Sequence, residues 1–136
     1  MTVALATLVD QKGWLVIDLT GAASTANAGL GEIANPEGVL LGITRAFLYF
    51  TTGSTGAANL DVGIGASGAK ASDIVSAMDV VEATVGGKFI FGPAAQAAET
   101  ESPTAKWAPT TYLTFTGSAS TVGLAGKLYL EYIRLA

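Results

Sequence analysis

The chain has 136 residues, of which 50% are hydrophobic and 13% charged, and its net charge at neutral pH is −4. It contains no cysteine and no histidine, which excludes nucleophile pairs built on those side chains and zinc sites of the usual nitrogen and sulfur type. Its seven basic residues are scattered singly and give no cationic stripe for a phosphate backbone, so nucleic acid is not expected as a partner.

The low charge content also bears on the surface of the protein. Ordinary soluble domains carry about 25% charged residues, so this surface is unusually uncharged. No stretch approaches the roughly 18 consecutive apolar residues of a membrane-spanning helix, and residues 1–12 lack the pattern of a signal peptide. We therefore expect one soluble domain over residues 1–136, with no membrane partner and with part of its surface covered by another chain.

The first half of the chain predicts three strands. Residues 14–20 fit a two-residue period that predicts a strand, with Leu15, Ile17 and Leu19 on one side and Trp14, Val16 and Asp18 on the other. Residues 21–38 have no sustained period and are predicted to be a long loop. Residues 39–52 are dense in β-branched and aromatic side chains, and residues 59–65 alternate again. Because only a few turn residues separate these last two strands, they are expected to pair as an antiparallel hairpin.

Residues 70–79 change to a helical spacing of apolar side chains. The apolar positions recur three and four residues apart, which predicts one short helix. Ser67 or Ser72 is expected to cap its start. The apolar positions are Ala71, Ile74, Val75 and Met78.

The remaining chain predicts four strands around a second long loop. Gly86 and Gly87 suit a tight hairpin turn between strands at residues 80–85 and 88–91. Residues 92–109 are rich in alanine, threonine and proline and are predicted to be the loop. Two alternating strands at residues 111–116 and 127–135 close the domain.

Several short strands, turn signals at their junctions and a single helix favour an all-β antiparallel β-sandwich over an α/β sheet. The two predicted loops exceed the roughly 12 to 15 residues beyond which unstructured connections are uncommon in compact domains. We expect these loops to be functional and to reach a neighbouring molecule.

The strand at residues 39–52 is apolar on both faces near its end. Phe47 and Tyr49 lie on one face, and Leu48 and Phe50 lie on the other. A sandwich covers only one face of each sheet, and each large apolar side chain left in water forgoes about 1.5 to 3 kcal/mol. Either the long loops cover the second face, or a bulge at Gly42 shifts the register, or a second copy of the chain covers it. We favour the second copy.

The last predicted strand is also apolar on both faces, with Leu128, Leu130 and Tyr132 on one side and Tyr129, Ile133 and Leu135 on the other. The candidate subunit interface follows from these two strands. Arg45 lies within an apolar strand and is expected either to pair with a carboxylate across the interface, with Glu131 as one candidate, or to lie at a solvated edge. The candidate interface residues are Arg45, Phe47, Tyr49, Tyr129, Glu131 and Ile133.

Motifs that suggest chemistry have simpler explanations. Residues 63–68 match the G-x-G-x-x-G pattern of dinucleotide-binding proteins, but the predicted helix is too short to cross a parallel sheet, so a glycine-rich turn is favoured. The clustered carboxylates lack the spacing of a calcium loop, and solvated surface charge is favoured for them. We expect no catalytic residue, no metal and no cofactor. The carboxylates are Asp73, Asp79, Glu82, Glu99 and Glu101.

Four aromatic residues are candidates for a sugar-stacking platform, as in a carbohydrate-binding module. Aromatic residues in strands more often belong to a core or an interface, which is the favoured interpretation. The four are Trp14, Trp107, Tyr112 and Tyr129.

Two segments of the chain resemble a known family. Residues 42–79 contain a strand that ends in two threonines, a glycine and alanine turn, an LDVGIG strand and a predicted short acidic helix. Residues 111–134 contain a G-x-x-G turn that leads into an alternating aromatic strand. This order is similar to that of small jelly-roll virion proteins of tailed bacteriophages, of the head-decoration or cement type.

The resemblance implies a non-enzymatic jelly-roll protein on the outside of a capsid, often a homotrimer, made in the host cytoplasm. Its partners would be further copies of itself and the major capsid protein. The acidic charge suits that position, since a protein facing packaged DNA is more usually basic. The first nineteen residues and residues 92–109 match nothing in that family, which leaves open whether the amino terminus is a capsid-binding arm. A carbohydrate- or receptor-binding module of a phage fibre or tail is the alternative.

Overall fold

The computed structural model describes residues 12–21, 28–91 and 106–135, which form nine strands and one short helix. In chain order these are β1 (Lys12–Thr20), β2 (Ala28–Ala34), β3 (Leu41–Thr52), β4 (Asn59–Gly65), β5 (Val75–Asp79), α1 (Glu82–Val85), β6 (Phe89–Phe91), β7 (Lys106–Trp107), β8 (Tyr112–Gly117) and β9 (Ala125–Arg134).

The strands form two antiparallel sheets. Sheet A has the order β1-β9-β3-β6, with the short β7 also paired to β3. Sheet B has the order β2-β8-β4-β5. The predicted all-β antiparallel sandwich is therefore confirmed. No helix among the described residues is long and apolar enough to cross a membrane.

The core lies between the inner faces of the two sheets. Sheet A contributes Leu48, Phe50 and Leu130, and sheet B contributes Leu60 and Leu113, all of them at most 1% exposed. Burying one such side chain contributes about 1.5 to 3 kcal/mol, so this layer dominates the favourable side of the stability balance.

Six predicted strands are present with nearly the predicted bounds: β1, β3, β4, β6, β8 and β9. The predicted alternation in β1 is also confirmed. Ile17 and Leu19 are buried, whereas Trp14 and Val16 are exposed. Strong period-two patterns therefore identified both the strands and the side of β1 that faces the core.

The predicted hairpin between β3 and β4 is wrong, because the two strands lie in different sheets. The connection between them crosses from one sheet to the other, where Ser54 forms an isolated bridge with Val81. Crossing allows Leu48 of β3 and Leu60 of β4 to be buried in one core from opposite sides. The gain from apolar burial outweighs the local preference for a hairpin.

The predicted helix at residues 70–79 is also wrong. Residues 75–79 form β5, which pairs with β4 through an irregular register, and Ala77 has a positive φ of 49°. The bulge leaves Val75 and Met78 buried with two exposed residues between them, and this spacing imitates a helix. Ser67 and Ser72 therefore cap no helix. The short helix α1 occupies residues 82–85, where a strand was predicted.

Both predicted loops contain strands. Within residues 21–38, β2 pairs with β8 and carries a bulge at Gly31, whose φ is 141°. Residues 22–27 lie outside the described part. Within residues 92–109, β7 pairs with β3, and residues 92–105 lie outside the described part. Glycine and alanine weaken the strand pattern of β2, and β7 is too short to show one.

A bulge in β3 decides which of its side chains reach the core. The register to β9 shifts between Ile43 and Arg45, close to Gly42, where a bulge was one of the alternatives to a second copy. Leu41 is buried before the shift, and Ala46, Leu48 and Phe50 are buried after it, so the extra residue exchanges the two faces of the strand. The shift does not remove the second apolar face near the end of the strand, because Phe47 and Tyr49 both follow it and lie on the outer face.

Candidate functional site

The outer face of sheet A carries large apolar side chains that the described residues leave in contact with solvent. Trp14 is 49% exposed, Val16 58%, Tyr49 37% and Phe89 60%, and Phe47 is half-buried among them. We call these five residues the apolar strip. Because the two partners of a directly opposed antiparallel pair point to the same side, the register places all five on one surface.

Three rings of the apolar strip stack across the sheet. The ring centroids of Trp14 and Phe47 lie 6.0 Å apart with planes 15° from parallel. Those of Phe47 and Phe89 lie 5.9 Å apart at 19°. Such pairs contribute about 0.5 to 1.5 kcal/mol each beyond the area they bury. Stacking therefore fixes a flat aromatic surface that extends from β1 to β6.

The six candidate interface residues all lie on this face. Phe47 opposes Tyr129, Arg45 opposes Glu131, and the alternation along β9 puts Ile133 on the same side. The register thus brings together every residue proposed from the sequence. The six are Arg45, Phe47, Tyr49, Tyr129, Glu131 and Ile133.

Arg45 pairs with Glu131 within one chain. Its Nε lies 3.1 Å from Oε1 of Glu131 and its Nη2 lies 3.3 Å from Oε2, and the Thr44 hydroxyl donates to Oε1 at 2.7 Å. The bulge in β3 places both Thr44 and Arg45 opposite this one carboxylate. These bonds favour the charged form and hold the pKa of Glu131 below its usual value, with the Thr44 bond the larger cause.

A second group of charges lies at the Lys12 end of β1, on the side of sheet A opposite the apolar strip. Arg134 Nη2 donates to Glu37 at 2.9 Å, and the Tyr132 hydroxyl donates to the same carboxylate. The two bonds lower the pKa of Glu37, while desolvation, followed by the bond to Glu37, raises the pKa of Tyr132. Glu37 therefore ties the β2–β3 connection to β9.

The outer face of sheet B differs because the chain covers it. Residues 66–73 cross over Gly63, where a Cβ would lie 2.4 Å from Asp73 Oδ1 and 2.6 Å from Ser72 N. Asp61 is 5% exposed, accepts the Ala77 N–H at 2.8 Å and lies 3.6 Å from Lys70 Nζ. Its carboxylate therefore supplies a partner for the backbone group that the bulge in β5 leaves outside the ladder.

The glycine-rich motif at residues 63–68 is part of this cover. No helix follows it, and Gly68, with a φ of 77°, donates its N–H to Glu32 at 2.8 Å. Ser67 donates to the same carboxylate at 2.6 Å, and these bonds lower the pKa of Glu32. The predicted glycine-rich turn is confirmed, and the motif lacks the helix start that a dinucleotide site needs.

The clustered carboxylates bind backbone groups of loops. Asp73 accepts the Ile64 N–H at 3.3 Å, Asp79 accepts the Val81 N–H at 3.0 Å, and Glu82 accepts the Gly53 N–H. Solvated charge was thus an incomplete interpretation for these three. Glu99 and Glu101 lie outside the described residues. In the part of the chain that is described, no three acidic side chains converge as a metal site would require.

The four candidate aromatics for a sugar platform do not share one surface. Trp107 is completely buried, and its indole N–H donates to the Thr111 carbonyl at 3.1 Å. Tyr112 belongs to sheet B, whereas Trp14 and Tyr129 lie on the outer face of sheet A. Trp107 is a core residue, as the favoured interpretation of core or interface allows, and an interface role for the others stays a prediction.

Open clefts elsewhere are small and shallow. One of about 260 Å³ lies beside Glu32, Ser67 and Thr114 on sheet B, and another of about 160 Å³ opens between β1 and β2. The cleft beside Glu32 contains a carboxylate that is already bonded. Neither cleft brings together groups that would activate a nucleophile.

Sequence reasoning missed Val16 and Phe89 as members of the apolar strip. Val16 stood beside Asp18 on the side of β1 opposite Ile17 and Leu19, and Phe89 stood in a segment of only three strand residues. Only the register of β1 against β9, and of β6 against β3, shows that they join Phe47. Trp14 gave an earlier signal, because a large aromatic on the side opposite Ile17 and Leu19 cannot enter the same core.

Comparison with known proteins finds a shared fold but no matching sequence family. No protein-family model and no curated protein matches the sequence. A chain in the solved capsid of Ralstonia phage GP4 has the same fold, with a TM-score of 0.61 and 17% sequence identity, covering 100% of this chain and 92% of that one. The likeness extends over the whole sandwich and shows a shared fold.

Proposed function

We propose that this chain is a non-enzymatic virion structural protein that decorates the exterior of a tailed-phage capsid, self-associates and stabilises the shell. Its partners on the particle would be further copies of itself, with a trimer the form implied by the sequence resemblance, and the major capsid protein. The observation that carries the proposal is the apolar strip, a wide exposed aromatic surface on a fold shared with a phage capsid chain.

The strand order supports a jelly-roll interpretation. Each sheet has a four-strand path, and these paths are β1-β9-β3-β6 and β2-β8-β4-β5. A double-sheet sandwich of eight strands built from two Greek keys is the architecture of jelly rolls, which recur in viral capsid proteins. In this interpretation β7 is a short addition beside β3.

The surface chemistry supports docking to protein. Monomeric soluble proteins rarely expose large contiguous apolar patches, and such patches commonly mark interaction sites. The stacked rings of Trp14, Phe47 and Phe89 are held flat by the sheet, so docking costs them little conformational entropy. The net charge of −4 favours a position away from packaged DNA.

The test is binding to shells. Capsids of the phage that carries this gene, produced without the chain, are incubated with the purified protein and sedimented. We expect the wild type to co-sediment and Phe89→Ser to lose at least tenfold in affinity. Val122→Ser is the matched control, because Val122 is 41% exposed and lies in the turn before β9, away from the apolar strip.

Two outcomes would contradict the proposal. Failure of the wild-type chain to bind shells would remove the decoration role. Equal binding by wild type and Phe89→Ser would remove the apolar strip from it. Binding of the wild type to glycans or host envelopes, without binding to shells, would favour the receptor-binding alternative.

A further inference from the structure

Strand β1 is an edge strand with an open side. Among the described residues it pairs only with β9. The unpaired side of an edge strand offers backbone N–H and C=O groups to another strand, and proteins usually protect such edges. β1 is nine residues long, contains no proline and lies next to an open cleft lined by Ile17, Leu19 and Leu30.

The side chains of β1 complement a second copy of β1. If two copies run antiparallel about a two-fold axis at Leu15, Lys12 opposes Asp18 and Trp14 opposes Val16 in both halves of the contact. These four residues alternate along the strand and therefore lie on the outer face of sheet A. Opposite charges and apolar pairs meet directly, which is the arrangement that stabilises antiparallel neighbours.

We propose that two copies of the chain join edge to edge through β1 in this register, so that sheet A continues from one copy into the other. The inference deepens the self-association of the proposed function and rests on it for the identity of the occupant. The proposed β1–β1 contact is two-fold, so it can also link neighbouring trimers on a shell.

The charges at the edge suit this contact. Asp18 is 77% exposed at its side chain and already contacts Lys127, so a Lys12 from the second copy would complete a row of alternating charge. Lys12 lies at the other end of the same strand. A strand shifted by two residues in either direction would bring neither Lys12–Asp18 pair into direct opposition. Charge therefore selects one register.

The apolar strip also continues through the contact. Val16 lies in the row of Phe47 and Tyr129, and in the proposed register it meets Trp14 of the second copy. The rings of both copies then form one surface of twice the width. A weak contact of this size becomes effective when many copies are held in a symmetric array.

The experiment uses charge reversal and particle mass. Lys12→Glu and Asp18→Lys are purified separately, and their masses are measured by light scattering over a micromolar to millimolar range. We expect the wild type to form an assembly with an even number of 13.7 kDa chains. Each single variant should show half the wild-type mass, because like charges then oppose each other twice.

Mixing the two variants supplies the decisive result. In a mixed pair, the carboxylate introduced at position 12 meets the ammonium introduced at position 18, and the native Lys12 and Asp18 meet at the other end. The equimolar mixture and the double variant K12E/D18K should therefore both recover the wild-type mass. Lys88→Glu is the matched control and should keep that mass, since Lys88 is exposed before β6 and away from β1.

Several outcomes would overturn the inference. These are a monomeric or strictly trimeric wild type, unchanged mass in either single variant, or a mixture that stays at half mass although thermal melting shows every variant folded. If any of these outcomes is found, the partner of the β1 edge would instead be residues 1–11 or another protein. Binding of the wild type to shells is measured separately, so the decoration role can stand when the two-fold contact fails.

Discussion

The outer faces of the two sheets differ in how far the described residues cover them. On sheet B, residues 66–73 cross the sheet, and the positions beneath them are small or polar, with Gly63 and Asp61 both buried. On sheet A, the described residues place no such cover over Trp14 and Phe89, which remain 49% and 60% exposed. The highly exposed aromatic side chains therefore lie on the face that the described residues leave open.

The two faces are expected to contribute differently to folding stability and to docking. A residue of the covered face contributes to folding through close contacts and satisfied hydrogen bonds, whose loss is costly. A residue of the open face contributes less to folding, because half of its surface is already in water. Substitutions on the outer face of sheet B should therefore lower the free energy of unfolding. Substitutions on the outer face of sheet A should weaken binding to partners.

Gly63→Ala should give the largest loss of stability. Its Cβ would enter the space of Asp73 Oδ1 and of the Ser72 backbone, so the covering segment must move. We expect a fall of about 3 kcal/mol in the free energy of unfolding, measured by urea titration. Gly56→Ala is the control and should change it by less than about 0.5 kcal/mol, since a Cβ there meets nothing within 4 Å. Equal effects of the two variants would refute the tight cover.

Asp61→Ala should give the next largest loss of stability. It removes the acceptor of the Ala77 N–H and the charge facing Lys70, and we expect a loss of about 2 kcal/mol. Asp61→Asn keeps an acceptor oxygen and should lose less than half of that. Hydrogen exchange at the Ala77 amide checks the cause, because it should accelerate in the alanine variant more than in the asparagine variant.

Trp14→Ser should have a smaller effect on folding and a larger one on association. The variant loses one ring stack with Phe47, worth about 1 kcal/mol. Co-sedimentation with shells should nevertheless fall at least tenfold, while Val122→Ser keeps both properties. A loss of stability larger than that of Asp61→Ala would break the contrast between the two faces.

The smallest expected effect is the acid dependence contributed by Glu131. Its folded-state pKa lies below the usual 4.5, so the unfolded chain takes up the proton at higher pH. The stabilisation is complete above that usual value and is lost as the pH falls through the lowered pKa. Urea midpoints of wild type and Glu131→Gln, compared from neutral to acidic pH, should converge on acidification. Parallel curves would show that the bonds from Thr44 and Arg45 do not favour the carboxylate.

The sequence predicted the sandwich because its five main strands have strong alternating patterns. It did not predict which sheet each strand joins, since the hairpin between β3 and β4 was locally favoured and the crossing is decided by the core. The bulge near Ala77 imitated a helix, and the bulge after Ile43 moved the buried face of β3 from odd-numbered to even-numbered residues. Bulges change the period by one residue, and nothing in their local composition marks them here.

The candidate interface stays a prediction, but the common face of its residues could be read from the sequence more directly than the topology. All six residues proposed for it share one face, because alternation determines which side of a strand a residue faces. The membership of Val16 and Phe89 in the apolar strip could not be predicted, since it depends on pairings far apart in the chain. Arg45 does pair with Glu131, the carboxylate named as a candidate, but within one chain and not across an interface as the sequence suggested.

The two tryptophans provide separate optical reporters. Trp107 is wholly inside the sandwich and Trp14 is half in water, and the chain has no other tryptophan. Quenching by acrylamide will therefore act mainly on Trp14, and a blue shift of its emission on docking can be followed without labels. Red-shifted emission from Trp107 will signal unfolding. One emission spectrum therefore distinguishes docking at Trp14 from loss of the folded core.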